Sequence, residues 1–371
     1  MRALVVLLLV ILAAPVLAQK PAPPPPPAKK NPLLKLIEPW PTPEKMRERK
    51  TDAEALPLFA STEPLAVTLT GDFKALNKDH DPNSKTLYPA TLTAGEGAPI
   101  DIQLRARGHL RRMSRTCDYV PIRVEFPKKV TAGGPFAKQE ALKLIVQCSG
   151  GRDYEQFILR EYLAYRIFNV ITHSSFRARL ARVSYVDRAT GKQAGTRLGI
   201  FLEDEGDVAK RMEGRVVELP RLSFDEVAAD TLMPMMIFEY MIGNTDYSIY
   251  ALHNVRIVRR QDKSLHPVPY DFDISGLVNP PYAAPAAGLM LKSVLERKYR
   301  GPCRRQEQVD PYVANFVAKR DAIMALPASV PGIDRQTRED VKQYLDSFYG
   351  SIRSTRDVRS LFVSCAPKPT M

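Results

Sequence analysis

The chain has 371 residues, of which 44% are hydrophobic and 26% are charged, and its formal net charge is +13. That length suffices for one large domain or two modest domains with a hydrophobic core. No RNP, zinc-finger or basic-zipper motif accompanies the positive charge, so the sequence does not indicate a nucleic-acid-binding protein. The charge fits either a solvated basic surface or attraction to acidic polymers, anionic surfaces or nucleotides.

Residues 1–18 have the pattern of a signal peptide. Arg2 precedes an unbroken apolar run from Leu4 to Leu12, and small residues around Ala18 suit a signal peptidase. The apolar run is shorter than the roughly 20 residues that a membrane-spanning helix needs. We therefore expect a mature chain that begins near Gln19, has no transmembrane segment after signal cleavage, and is periplasmic or secreted.

The chain has an even number of cysteines, which in an exported protein favours disulfides. Three pairings of Cys117, Cys148, Cys303 and Cys365 are possible. Pairing in sequence order, Cys117 with Cys148 and Cys303 with Cys365, is the prediction we prefer. Buried free thiols are the alternative.

Residues 19–58 are predicted to be a proline-rich spacer and linker, because the run Pro23–Pro27 excludes helix and central strand. Residues 59–210 are predicted to form a sheet-rich lobe with one helix, over Tyr154–Thr172, where apolar residues recur near every 3.6 positions. Alternating apolar and polar residues predict its strands. These are Leu65–Leu69, Tyr88–Ala94, Ile100–Ala106, Ile122–Phe126, Leu142–Val146, Ala181–Tyr185 and Leu198–Leu202.

Residues 211–371 are predicted to form a mainly helical lobe. Ser223 and Glu226 are spaced as a capping box that would start a helix, and further helices are expected over Val309–Leu326 and Arg335–Ile352. The fold class expected from this order is α+β, with an N-terminal antiparallel sheet lobe and a mainly helical C-terminal lobe. A cleft between two lobes is a usual place for a ligand.

The segment from Gly243 to Gly276 concentrates polar side chains beside apolar residues. These are Asp246, Asn254, Asp271 and Asp273. An unpaired buried carboxylate is costly, and hard divalent cations prefer carboxylate and amide oxygens. The segment therefore predicts a cation site. The alternatives are an Asx turn or helix cap at Asn244 and Asp246, and a simple turn at Asp271 and Asp273.

The order of these residues resembles the CotH group of atypical kinases and its HipA-like relatives. The resemblance rests on Gly243-Asn244-Thr245-Asp246, on Asn254 and on Pro267-Val268-Pro269-Tyr270-Asp271-Phe272-Asp273. It implies a two-lobed protein-kinase-like fold and covers about Leu65 to Leu326. It also implies an exported phosphotransferase that uses ATP or another nucleotide, with a protein or cell-surface polymer as the acceptor.

The resemblance implies a role for each site residue. Asp246 would be the catalytic residue that orients the acceptor hydroxyl and takes its proton. Mg²⁺ or Mn²⁺ would be bound by Asn254 and Asp271, with Asp273 as an alternative or second ligand. The nucleotide-binding residues would be Lys143, held by Glu161, and Glu203. Asp246 and Asn254 are farther apart in sequence than the corresponding residues of HipA-type kinases. The loop between them must therefore bulge if Asp246 is the catalytic residue and Asn254 is a metal ligand.

Two other functions stay open. The first is a non-catalytic module that binds an acidic or phosphorylated surface ligand. Its arginines would lie around His109, at Arg105, Arg107, Arg111, Arg112 and Arg115. A solvated strand edge explains the same cluster. The second is metal-dependent phosphoester hydrolysis at the same carboxylates. A structural interpretation is also open for three of the predicted elements, which would then be exposed or ion-paired surface residues. These are Lys143, Glu161 and the stretch 203–205.

Overall fold

The structure is a computed structural model that describes residues 34–113, 116–127 and 133–364. The predicted signal peptide, the proline run, Arg115 and Cys365 lie outside these ranges. The linker part that is described contains helices α1 (Leu34–Ile37) and α2 (Pro43–Glu54). Helix α2 begins at Pro43 because the Thr42 hydroxyl accepts a hydrogen bond from the Lys45 N–H, which caps the first turn.

Strands β1 to β7 form a closed barrel, with neighbours in the order β1-β2-β3-β4-β5-β7-β6. All neighbours are antiparallel except β1 and β6, which pair in parallel. The strands are β1 (Leu65–Gly71), β2 (Tyr88–Ala94), β3 (Ile100–Ala106), β4 (Ile122–Glu125), β5 (Ala141–Val146), β6 (Ala178–Asp187) and β7 (Gln193–Leu202). Short helix α3 (Phe73–Asn77) follows β1, and long helix α4 (Arg152–Ile171) joins β5 to β6.

The predicted two-lobed protein-kinase-like fold with an antiparallel sheet lobe is wrong. Strand β1 pairs with β6 from Leu65 opposite Ala181 to Gly71 opposite Asp187, and this parallel pairing closes the sheet. Alternation along a strand indicates which face is buried, but it does not say which strands are neighbours. All seven strands were predicted, although β6 and β7 are each ten residues long, twice the predicted length. The closure of the barrel, which removes the free edges of the sheet, was not predicted.

Strand β5 and the second half of β7 are buried on both faces and join the barrel to the rest of the molecule. On β5, Leu144 belongs to the barrel interior, whereas its neighbour Ile145 belongs to the larger core of helices. Phe201 and Ile200 divide in the same way on β7. Helix α4 is also part of that larger core, so it packs with the C-terminal half of the chain rather than forming one lobe with the sheet.

A second sheet of three strands lies in the C-terminal half, in the order β10-β9-β8. Its strands are β8 (Gly214–Val217), β9 (Val255–Arg260) and β10 (Leu265–Pro269), and all pairs are antiparallel. The helices of this half are α5 (Glu205–Arg211), α6 (Ala229–Ile242), α7 (Gln306–Ala318), α8 (Arg320–Ser329), α9 (Arg335–Ser351) and α10 (Thr355–Val358). A short π-helical turn, Arg359–Val363, follows α10.

Two helix predictions need correction. The capping box of Ser223 and Glu226 is present, but it closes a single 3-10 turn, Phe224–Glu226, and α6 begins only at Ala229. The helix expected over 309–326 is two helices, which meet at Lys319 with a backbone φ of −97° and ψ of 5°. The helix predicted from Arg335 agrees with α9 within one residue.

The predicted Cys117–Cys148 disulfide is confirmed. It joins the loop that follows β3 to the segment just after β5, where Cys148 is the second residue beyond the strand. Cys303 is disulfide-bonded as well, and the partner that we predict for it, Cys365, lies outside the described residues. Within the described ranges, no helix has the length and apolar character to cross a membrane.

Candidate functional site

A cleft of about 550 Å³ lies between one side of the barrel and the loops that follow α6 and β10. Its volume is in the range of small-molecule sites, roughly 300–1,000 Å³. It brings together five of the residues predicted from the sequence, which are Lys143, Asp246, Asn254, Asp271 and Asp273. The other polar residues that line it are Arg107, His109, Arg111, His253, Arg256 and Tyr270.

The hairpin of β9 and β10 places Asn254 beside Asp271. Asn254 immediately precedes β9 and Asp271 is the second residue after β10, so antiparallel pairing brings them to the same end of the hairpin. The Tyr270 N–H donates to the Asn254 carbonyl oxygen at 3.0 Å, and the Asp271 N–H donates to the Tyr165 hydroxyl at 2.9 Å. Asn254 and Asp271 both adopt positive φ, 53° and 68°, a conformation that Asn and Asp tolerate better than most residues.

Asp246 lies in the loop after α6, and Gly243, with φ of 65°, caps the C-terminal end of that helix. The Asp246 N–H donates to the Asn244 side-chain oxygen at 2.9 Å, so the predicted Asx turn is present. The chain then folds back through a β-bridge between Ser248 and His253. The Asn254 amide nitrogen thereby lies 3.1 Å from the Asp246 carboxylate. The bulge that the long spacing requires is therefore present.

His253 is the second partner of the Asp246 carboxylate. Its Nε2 lies 3.1 Å from Asp246 Oδ1, and its side chain is 56% exposed. The hydrogen bond to Asp246 raises the pKa of His253. From the sequence, His253 beside Asn254 fits either a residue that supports the site or a structural histidine, and it was not among the predicted site residues. Its position next to Asn254 is the signal that points to it.

Lys143 points into the cleft from β5 and binds Glu205 rather than Glu161. Its Nζ lies 3.3 Å from Glu205 and 4.2 Å from the centre of the Tyr270 ring. Burial lowers the pKa of Lys143 to about 8, although Glu205 opposes this shift. Burial would raise the pKa of Glu205, but Lys143 and Arg256 lower it to about 2. The implied Lys143–Glu161 pair is thus corrected to Lys143–Glu205.

Glu161 lies behind the cleft in a buried cluster with Arg111, Asp273 and Tyr282. The Arg111 guanidinium is 3.9 Å from Asp273, and the Tyr282 hydroxyl donates to Asp273 at 3.1 Å. Burial and the charge of Asp271 raise the pKa of Asp273 to about 6. Burial, together with Asp273 and Asp271, also holds the pKa of Glu161 well above its usual range. Asp273 is therefore shared between the cleft and this cluster.

Glu203 does not line the cleft. Its carboxylate is fully buried and accepts hydrogen bonds from Arg177 at 2.7 Å and from Arg211 at 2.8 Å. Arg177 also donates to the Ala53 and Glu54 carbonyl oxygens of the N-terminal helix region. The predicted nucleotide-binding role of Glu203 is therefore replaced by a structural one. The residue of the acidic stretch that reaches the cleft is Glu205.

The predicted cluster of arginines is divided between different surroundings. Arg105 pairs with Glu125 at 3.3 Å, and Arg112 is buried against Asp79 at 2.7 Å. Among the described members of the cluster, Arg107 and Arg111 reach the cleft. Arg256 was not among the predicted site residues; it supplies a further cation there and lies 2.7 Å from Glu205. Nothing in the alternation of β9 distinguishes Arg256 from an ordinary exposed strand residue, because its role depends on the strand's neighbours.

The oxygen ligands of the cleft suit a hard divalent cation. Burial, and after it the charge of Asp271, raises the pKa of Asp273. A cation between the two carboxylates would offset both the burial of charge and the repulsion. The Asn254 amide nitrogen is committed to Asp246, so its amide oxygen is the atom left for a metal. The ranges described contain no group of three His, Cys, Asp or Glu side chains that could hold a metal alone. Water or ligand phosphate oxygens would complete the shell, as is usual for Mg²⁺.

No protein-family model matches this chain, and no curated protein matches it.

Proposed function

We propose that the cleft catalyses metal-dependent transfer of a phosphoryl group from a nucleotide to a hydroxyl of a protein or surface polymer, in line with the CotH resemblance. One observation carries the proposal. Cationic side chains and carboxylate and amide oxygens line the same cleft of about 550 Å³. Catalysis of phosphoryl transfer consists mainly of positioning and of neutralising charge, and this combination supplies both.

The cationic side of the cleft would hold the phosphates. Arg107, Lys143 and Arg256 line it, and hydrogen bonds from charged donors to phosphate are about twice as strong as neutral ones. Glu205 keeps Lys143 and Arg256 in place through contacts of 3.3 Å and 2.7 Å. Lys143 also lies over the Tyr270 ring, which restricts its direction.

The opposite side would hold the acceptor hydroxyl. Asp246 is the proposed proton acceptor, since its side chain is 31% exposed to the cleft and two hydrogen bonds fix its direction. His253 lies 3.1 Å away and is more exposed, so a proton taken up by Asp246 has a route to solvent. Asn254 donates to Asp246 and so couples the acceptor site to the metal ligands.

Asn254, Asp271 and Asp273 would hold Mg²⁺ or Mn²⁺. Held by these side chains, the cation would supply positive charge next to the phosphates, where negative charge develops during transfer. Arg111 lies behind Asp273 and limits the repulsion between the carboxylates when no cation is bound. The cytoplasm is not the expected location, because the Cys117–Cys148 disulfide favours an oxidising compartment, in keeping with the predicted signal peptide.

The test uses the mature chain with ATP and Mg²⁺ or Mn²⁺. We expect a thermal shift that needs both nucleotide and metal, because a ligand that binds only the folded state stabilises it. We also expect phosphate transfer to a generic protein acceptor or to the chain itself. Asp246→Asn should reduce transfer at least about a hundredfold with the thermal shift retained, whereas Asp271→Asn should abolish the metal-dependent shift. Asp310→Asn, on the exposed face of α7, is the matched control.

Two results would contradict the proposal. Transfer that is unchanged in both Asp246→Asn and Asp271→Asn would place the reaction elsewhere. Salt-sensitive binding of an anionic polymer that survives both substitutions, without turnover, would favour the non-catalytic binding module instead.

A further inference from the structure

A second cavity, of about 200 Å³, lies at the mouth of the barrel. It opens where β1, β5 and β6 end and where β4 and β7 begin, beside helix α3. Its walls are mostly apolar, and several of them belong to the barrel core. The residues that line it are Phe73, Lys74, Asn77, Tyr119, Val120, Ile122, Val146, Tyr185, Ala194 and Arg197.

Arg197 is held at this cavity by two aromatic rings. Its guanidinium carbon lies 3.8 Å from the centre of the Tyr119 ring and 4.8 Å from the centre of the Tyr185 ring. Within the part of the chain that the structure describes, Arg197 makes no hydrogen bond and no ion pair. Stacking therefore fixes the plane of the guanidinium, while its N–H groups stay available as donors.

The backbone around Arg197 is adapted to leave this space. Strands β6 and β7 change register between Tyr185 and Val186, so Ala194 has no partner across the sheet. Bulges of this kind are common at barrel rims and beside binding sites. Gly195, beside the bulge, has φ of 140°, a backbone conformation that side-chain-bearing residues rarely adopt. The backbone at the bulge therefore requires glycine two residues before Arg197.

The charge at the cavity is positive. Lys74 lines the cavity together with Arg197, and none of the described residues that line it is acidic. The mouth of a barrel is a common place for a small ligand, and a dry cavity of about 150 Å³ is enough for benzene. The space therefore accommodates one ring or a short branched chain that carries an anionic group.

We propose that the barrel mouth binds a small organic carboxylate, with the carboxylate on Arg197 and the apolar body against Phe73, Tyr119 and Val146. A carboxylate matches the planar donor pair of a guanidinium, and the apolar walls contribute by removing the ring from water. This site is separate from the acidic cleft and does not depend on phosphoryl transfer.

Phenylacetate is the probe, titrated into the mature chain at pH 7 by calorimetry and followed by backbone NMR shifts. We expect saturable binding with shifts at Tyr119, Tyr185 and Arg197. Phenylacetamide has the same shape without the charge, and acetate has the charge without the ring. Each should bind at least about tenfold more weakly, since a charged hydrogen bond and the ring burial both contribute on that order.

Two variants separate binding from stability. Arg197→Gln should weaken phenylacetate at least about tenfold, while Arg182→Gln, on the exposed side of the adjacent strand, should bind as the wild type. Ala194→Trp fills the mouth from its exposed rim and should abolish binding without lowering the melting temperature. The proposal is overturned if phenylacetate binds no more tightly than phenylacetamide, or if Arg197→Gln binds it as tightly as the wild type. Asp246→Asn should leave this binding unchanged, so the outcome is independent of the acidic cleft.

Discussion

Glu239 is a buried residue that the function of the cleft does not explain directly. It lies in α6 beneath the Asp246 loop and is 1% exposed, with the Asn244 side chain as a polar neighbour of its carboxylate. Burial raises its pKa to about 8, against the opposing effects of Asn244 and Arg300. Its backbone carbonyl accepts from the Asn244 N–H at 2.9 Å, so the residue lies at the start of the loop that carries Asp246.

Stability should therefore fall as pH rises in the range where Glu239 loses its proton. The folded-state pKa is raised above the ordinary 4.5 to about 8, so the folded state binds more protons than the unfolded state between these values. We expect Glu239→Gln to remove about 2–4 kcal/mol of the decrease in unfolding free energy between pH 5 and pH 8. Urea unfolding at both pH values is the measurement. Glu307→Gln, an exposed substitution, should leave the slope unchanged.

Lys143 makes anion binding in the cleft sensitive to pH. Its pKa is lowered to about 8 by burial, so the side chain loses its charge as pH rises through that value. We expect the affinity for ATP with Mg²⁺ to fall several-fold between pH 7 and pH 9. Lys143→Met should bind about tenfold more weakly at pH 7 and lose most of this decline. A decline of equal size in Lys143→Met would assign the pH dependence to another group.

At the level of elements, the loop after β3 is fixed to the barrel next to both cavities. The Asp118 and Tyr119 N–H groups donate to the Cys148 carbonyl oxygen at 2.8 Å and 3.1 Å. The Arg111 guanidinium donates to the Val146 carbonyl oxygen. The Cys117–Cys148 disulfide covers this connection and is buried. One element thus positions Arg111 at the acidic cleft and Tyr119 at the barrel mouth.

Removal of this disulfide should lower stability and disturb both sites. The bonded cysteines are 31 residues apart, and closure of a loop of that length contributes about 3–4 kcal/mol in the chain-entropy model. We expect the double variant Cys117→Ala, Cys148→Ala to lose about that amount in urea unfolding and to bind phenylacetate more weakly. If the free energy of unfolding fell by less than about 1 kcal/mol, the hydrogen bonds of the loop would hold it in place without the disulfide.

For the molecule as a whole, Glu203 is the point where the N-terminal helix region, the barrel and α5 meet. Its carboxylate forms ion pairs with both Arg177 and Arg211. Arg177 also donates to the Ala53 carbonyl oxygen, and Arg211 donates to the Ser175 carbonyl oxygen. The side chain of Glu203 is completely buried, so loss of its charge would leave two guanidinium groups without their counter-ion.

Glu203→Gln should destabilise the fold by about 3–5 kcal/mol, the usual effect of removing one partner of a buried ion pair. Thermal and urea unfolding of the mature chain measure this loss. Glu213→Gln, which removes an exposed pair with Lys50, should cost less than about 1 kcal/mol. If the two variants were equally stable, the buried cluster would not hold these elements together.

The sequence by itself determined the strands of the barrel, the long helix α4, one disulfide and the grouping of Asp246, Asn254 and Asp271. These features are local, because alternation and helical period reveal buried faces and a hairpin brings the ends of neighbouring strands together. The tertiary structure alone decided that β1 pairs with β6, that Lys143 binds Glu205, and that Glu203 is buried between two arginines. Such contacts join residues that are distant in the chain. Their contribution to the free energy of folding depends on which surfaces meet, and the local sequence pattern does not identify the partner.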